Sequence, residues 1–211
     1  MNSISTHAPL CSTDHCRERG TTMLEVLISV VILSIGLLGV AGLQGVSKRT
    51  NHQAHQRSIA THLVDGIIER IRANPTAAAS YHTGTTNFLG SKVSAVSEPS
   101  PNCSTAACIK TRLAAHDLWS WEQEIDGAAI TYGDSDTKAG GLLNPRGCII
   151  FTASTGKTNT GRLSVILNWE GMTDISDAVA AGGTVCGDVA ANSDRSRRQH
   201  TVNTFVYDTT E

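Results

Sequence analysis

Glu25 is the first residue whose type and setting could do chemistry. It stands in the stretch "RERGTTMLEVLIS", and the positions after it, residues 26–47, carry no charge. At 1.5 Å per helical residue that run spans about 30 Å, the thickness of a bilayer core. A charged side chain inside a membrane costs about 2.5–3.5 kcal/mol at the helix centre and less near the interface. A carboxylate at the head of such a run therefore calls for a cation. The chemistry it offers is charge pairing, with no turnover.

Other residues that could do chemistry do not assemble into a catalytic pattern. "STGKT" ends like a phosphate-binding loop at Gly156, Lys157 and Thr158, but Phe151 stands where the partner glycine is needed. Neither G-x-S-x-G nor H-E-x-x-H occurs. Glu122 and Glu124 do not face one another on a helix. His52 and His55 share a helical face, but with His62 they have no acidic or cysteine ligand at a suitable spacing, so a solvated helix surface is expected and no metal. "RSRRQ", Arg195–Gln199, reads as a solvated loop, with an acidic partner surface as the alternative. No cofactor and no enzyme activity are expected.

Length and charge narrow the classes further. The chain has 211 residues, room for one membrane segment and one modest domain. A net charge of −2 excludes the positive field that nucleic-acid binding needs. Aromatics make up 4% and there are 19 glycines, which predicts a small core with many turns. Cys11 and Cys16 precede the apolar run, while Cys103, Cys108, Cys148 and Cys186 follow it. Four later cysteines allow three pairings. The expected one is Cys103–Cys108, closing a tight loop at a helix start, with Cys148–Cys186, tying a strand to the glycine-rich loop "AAGGTVCGD". Closing the longer loop contributes about 3–4 kcal/mol on the chain-entropy model. A zinc site is disfavoured because no paired C-x-x-C spacing exists.

The elements that position these residues can be read from periodicity. The run to Ser47 is apolar all round, which suits a membrane helix better than a buried soluble one. A secretory signal is shorter and is cut after its apolar stretch, whereas here the small residue Gly20 comes before it. The flanking charges, Arg17, Glu18 and Arg19 against Lys48, Arg49 and Arg57, do not decide orientation. The cysteines favour placing the later part outside the cytoplasm. Gly36, Gly39, Gly42 and Gly45 read either as ordinary membrane-helix composition or as a stripe for close helix approach. Beyond Lys48, Ile59, Leu63, Ile67 and Ile71 recur at helical spacing, with Val64 and Ile68 beside them. Asn74-Pro75 ends that helix. From Thr21 to Ala73 it would extend about 80 Å.

Residues 75–102 read as a loop-rich connection with a short strand near Lys92–Val96. A second helix is expected from Thr105 to Ile125, with Trp119 and Trp121 pointing to different sides. Strands are expected over Gly147–Ser154, Arg162–Gly171 and His200–Asp208, the first two joined by the turn "TGKTNTG". Short connections imply an antiparallel sheet with one face on the long helix.

"RERGTTMLEVLIS" closely resembles the class III signal of type IV prepilins. The later stretches "LVDGIIERIRANP", "DLWSWEQEI" and "RLSVILNWEG" resemble the PilV-type minor pilins, also termed type IV pilus modification proteins. Over residues 17–170 the resemblance implies an α+β, type IV pilin-like fold: a long N-terminal α-helix packed on a small antiparallel β-sheet head. It implies a leader, residues 1–20, cut by a prepilin peptidase between Gly20 and Thr21, with N-methylation of Thr21. Thr21 stands where major pilins usually carry Phe.

Glu25 falls at the fifth mature position, where the resemblance implies an ion pair with the terminal amine of a neighbouring subunit. The amine of the same chain, one helical turn away, is the alternative partner. Residues 21–47 would be the transmembrane and assembly helix, 48–74 its amphipathic continuation, and 75–211 a periplasmic head. Implied partners are other minor pilins, the major pilin, the peptidase and an inner-membrane assembly platform. The implied location is the inner membrane, single pass, and then the pilus. The implied function is a minor pilin that primes or caps pilus assembly. A minor pseudopilin of a type II secretion system and a membrane-tethered periplasmic binding domain or adhesin are the alternatives.

Overall fold

The computed structural model describes residues 22–90, 97–100, 102–127, 141–173, 183–187 and 196–211. Gly20, Thr21, Cys11, Cys16 and the strand expected at Lys92–Val96 lie outside them. The elements are helix α1 (Met23–Ala73), a 3-10 helix (Pro75–Tyr81), helix α2 (Lys110–Ile125) and strands β1 (Arg146–Ala153), β2 (Gly161–Glu170) and β3 (Arg197–Val206). The chain divides into two units between Ser47 and Lys48.

In the first unit, every residue of α1 is exposed, including large apolar side chains such as Met23, Leu38 and Leu43. This is the only helix among the described residues long and apolar enough to cross a membrane. Two of its hydroxyls are satisfied internally: Ser29 donates to the Glu25 carbonyl and Ser34 to the Val30 carbonyl, each at 2.7 Å. Such back-bonding lets serine sit in an apolar helix without an unpaired polar group.

In the second unit, α1 buries Gln56, Ala60, Val64, Ile67, Ile68 and Ile71, one face at helical spacing. These apolar residues share a core with Leu163, Val165 and Leu167 of β2, Trp121 and Ile125 of α2, and Tyr81. The sheet is antiparallel in the order β1-β2-β3. Val165 pairs with Ile149 and Val202, so the three line the same face.

α1 stops at Ala73 because Asn74 leaves the helical region ahead of Pro75. The next segment departs from the loop expected over residues 75–102. Residues Pro75–Tyr81 form a 3-10 helix with Ala77, Ala78 and Tyr81 buried. Small alanines let this turn lie close against the core.

α2 begins at Lys110, later than the expected Thr105. Asn102 explains the delay. Its side chain accepts the Ser104 N–H at 2.8 Å, and its carbonyl accepts the N–H groups of Thr105 and Ala106. These turn bonds compete with helix formation, and Ile109 is extended. Inside α2, Trp121 is fully buried and Trp119 half-buried, tilted against His116 at 5.6 Å. β1 comes so close to Trp121 that a Cβ on Gly147 would lie 2.7 Å from the indole, so that position requires glycine.

The second face of β2 is also covered, which strict alternation does not predict. Ile166 and Asn168 are buried there, with Cys148, Cys186, Phe88 and Ile150 around Ile166. The solvated loop expected at Arg195–Gln199 is corrected over its described part. Arg197–Gln199 belong to β3, and Arg197 is buried. Its guanidinium donates to Asn168 Oδ1 and to the Asn144 carbonyl, both at 3.0 Å. Its charge thus meets buried acceptors instead of solvent, and the neighbouring Arg198 donates to the Thr173 carbonyl at 2.7 Å.

His200 pairs with Leu167, and its Nε2 has no hydrogen-bond partner among the described residues. Burial, and then Arg57, push its imidazolium pKa down, against a smaller upward pull from Asp65. The folded state therefore favours neutral His200. Stability is full above the ordinary histidine range and falls as pH drops from there toward the lowered folded value. Urea midpoints at pH 8 and pH 5 should show that loss, and His200→Gln should flatten this part of the pH dependence.

Candidate functional site

The head of α1 is built by its own sequence. Thr22 precedes the helix, and its hydroxyl oxygen accepts the Glu25 N–H at 3.3 Å. The Thr22 carbonyl accepts the N–H groups of Glu25 and Val26 at 3.0 and 3.2 Å. Thr22-x-x-Glu25 has the capping-box spacing, in which a threonine cap meets the N–H of the third helical residue. The acidic side chain then sits in the first turn, where the helix dipole favours negative charge.

Glu25 heads a shallow groove along one strip of the helix, lined by Glu25, Val26, Ser29, Val30 and Leu33. The groove joins one carboxylate to an apolar wall. Chemically it can take a cation at its head and an apolar helix along its length. Gly20 and Thr21, the expected cleavage pair, immediately precede the described residues.

The four cysteines that follow the apolar run form two disulfides. Cys103 is bonded to Cys108, with Cα atoms 5.5 Å apart, and Cys148 to Cys186, at 5.7 Å. The first closes the turn before α2. The second fastens β1 to the segment around Cys186, whose carbonyl accepts from Asn168 Nδ2 at 2.9 Å. His52, His55 and His62 are all exposed. Among the described residues no cluster of three or more His, Cys, Asp or Glu is placed to hold a metal.

Sequence reasoning missed a buried polar cluster that joins the helices. Tyr81 donates to Asp117 Oδ2 at 2.5 Å, and Asn74 Nδ2 donates to Tyr81 Oη at 3.2 Å and to the Lys110 carbonyl at 2.8 Å. Burial and the Asp117 bond raise the Tyr81 phenol well above its ordinary value, so it stays a donor. Trp121 Nε1 donates to the Leu63 carbonyl at 2.9 Å, linking α2 to α1. Glu122 is buried and accepts the Gly90 N–H at 3.2 Å. Asp117 and Trp121, four apart on one helical face, were the available signal. These groups fix the packing of α2 against α1 and the 3-10 helix.

Two family profiles match the chain. Residues 16–41 match the prokaryotic N-terminal methylation motif. Residues 42–119 match the profile of type IV pilin Tt1218. No curated protein and no solved structure matches. The motif match includes Gly20, Thr21 and Glu25, and the pilin match runs from the apolar half of α1 into α2. The chain thus matches a prepilin N-methylation motif and, over residues 42–119, the profile of a type IV pilin, a family of structural proteins, on an α+β fold consistent with that of type IV pilins.

Proposed function

We propose that this chain is a minor pilin of the PilV type that primes or caps a type IV pilus. The observation that carries the reading is a methylation motif running directly into a helix half exposed on every side. An apolar surface of that length has two stable environments, lipid and the matching helices of other pilins. A prepilin peptidase cuts after Gly20 and methylates Thr21 on the cytoplasmic side of the inner membrane. The protein then waits as a single-pass membrane protein with a periplasmic head, its partners being other minor pilins, the major pilin and the assembly platform.

Glu25 sets the register in this proposal. The new Thr21 amine remains a cation when methylated, and the amine of a neighbouring subunit neutralises Glu25 as the helix leaves lipid. The disulfides suit an oxidising compartment for the head.

Mass spectrometry of the protein isolated from membranes tests the first step. The expected N-terminus is N-methylated Thr21; an intact leader in mature membranes would remove the basis for the proposal. Deletion separates a pilus role from a pseudopilus role: fewer pili with normal enzyme secretion is expected. Lost secretion with normal pili would assign the chain to a secretion system.

A further inference from the structure

The turn between β1 and β2 holds a carboxylate. The N–H groups of Thr158 and Asn159 donate to Glu211 Oε1 at 2.9 and 2.8 Å, and the N–H of Thr160 donates to Oε2 at 3.1 Å. Three consecutive amides converging on one anion form a nest, the arrangement by which backbone alone binds phosphates and carboxylates. Gly156, at φ +74, supplies the left-handed residue that shapes the turn. "GKT" lacks the partner glycine of a phosphate loop, yet Thr158, its last residue, is the first donor of this nest.

A second contact set lies beside it. The Asp208 N–H donates to Thr160 Oγ1 at 2.9 Å. The Asp208 carboxylate accepts the N–H and the hydroxyl of Thr210 at 2.9 and 2.7 Å, folding residues 208–210 into a turn. Burial raises the Glu211 carboxyl, but the amides of 158–160 and the Thr160 side chain outweigh it and hold the group below the usual glutamate range. Asp208 is likewise held low, first by Thr210 and then by Lys110 and Lys157. Glu211 and Thr158 are both exposed, so water and dissolved anions reach the bonds from Thr158 and Asn159, while Thr160 beside them is buried.

We propose that the Thr158–Thr160 amides are an anion-binding nest whose occupant is the Glu211 carboxylate, making residues 207–211 a releasable latch on the β1–β2 turn. The latch sits just beyond β3, an edge strand of the sheet among the described residues, and includes the exposed Tyr207. When Glu211 leaves, the nest is open to a carboxylate or phosphate group from outside, and the segment with Tyr207 is free to move.

The test uses the full chain in detergent micelles, with amide signals followed by NMR and inorganic phosphate as the probe. In the unaltered protein the three amides should exchange slowly and ignore millimolar phosphate. In Glu211→Ala they should exchange about tenfold faster or more, as expected for loss of a charge-assisted bond. Phosphate should then shift those three signals saturably. Glu211→Gln keeps the side-chain length and should give an intermediate exchange rate, and unchanged β2 amides report an intact sheet in both variants. Unchanged exchange in Glu211→Ala, a nest that ignores phosphate once Glu211 is gone, or an equal phosphate response in the unaltered protein would each overturn the proposal.

Discussion

Glu25→Ala should leave the protein in the membrane and remove it from filaments. Alanine lowers the cost of insertion, because it deletes a charge worth about 2.5–3.5 kcal/mol at the centre of a bilayer. The membrane fraction should therefore hold at least as much protein as before. Surface pili, measured in sheared fractions, should fall at least tenfold, because the neighbouring amine would be left in an apolar bundle without a counter-charge. Glu25→Gln keeps the shape of the groove lined by Val26, Ser29, Val30 and Leu33 and should fail nearly as badly. Normal piliation with either variant would remove Glu25 from the assembly mechanism. Thr22→Ala offers a milder contrast, since it deletes the hydroxyl that accepts the Glu25 N–H while keeping the charge. Its cost is that of a lost cap, about 0.5–2 kcal/mol.

Trp121→Ala should destabilise the second unit by about 3–5 kcal/mol, the range for large aromatic-to-alanine changes in a core. The indole is fully buried, packs against Gly147 and donates to the Leu63 carbonyl. Its removal opens a cavity beneath β1 and takes away a bond between α2 and α1. Trp119→Ala should cost less than about 1 kcal/mol, because Trp119 is half-buried and its ring leans on His116 at the edge of the core. Urea unfolding of the full chain in micelles, followed by far-UV circular dichroism, separates the two. Equal losses from both variants would mean that the second indole carries core weight too. Trp121→Phe should recover much of the volume but not the bond to Leu63.

The second and third strands were legible because their side chains alternate. Leu163, Val165, Leu167 and Trp169 are buried as their spacing implies, and the observed strand limits differ from the expected ones by a few residues. Local chemistry that competes with periodicity was harder to read. The Asn102 turn shortens α2 at its start, and the alanine-rich stretch after Pro75 coils into a 3-10 helix although it has the composition of a loop. Arg197 was misread for a different reason. An arginine among charged neighbours looks solvated until Asn144 and Asn168, both distant in the chain, supply acceptors for it.

What the sequence determined by itself was whatever rests on neighbours along the chain. A motif of adjacent residues, Gly20 to Glu25, marks the prepilin signal. An unbroken apolar run marks the membrane-length helix, an Asn-Pro pair marks its end, and period-two alternation marks the strands expected at Arg162–Gly171 and His200–Asp208. Tertiary structure alone decided what rests on residues far apart. It brought Tyr81 to Asp117, Trp121 to Leu63, Arg197 to Asn168, and Glu211 to the turn at Thr158–Thr160. The physical reason is that a donor or acceptor pairs with whatever group the fold carries to it, and a buried one must find such a partner. Periodicity reports which face of an element is apolar, but it does not report which distant group completes a hydrogen bond there.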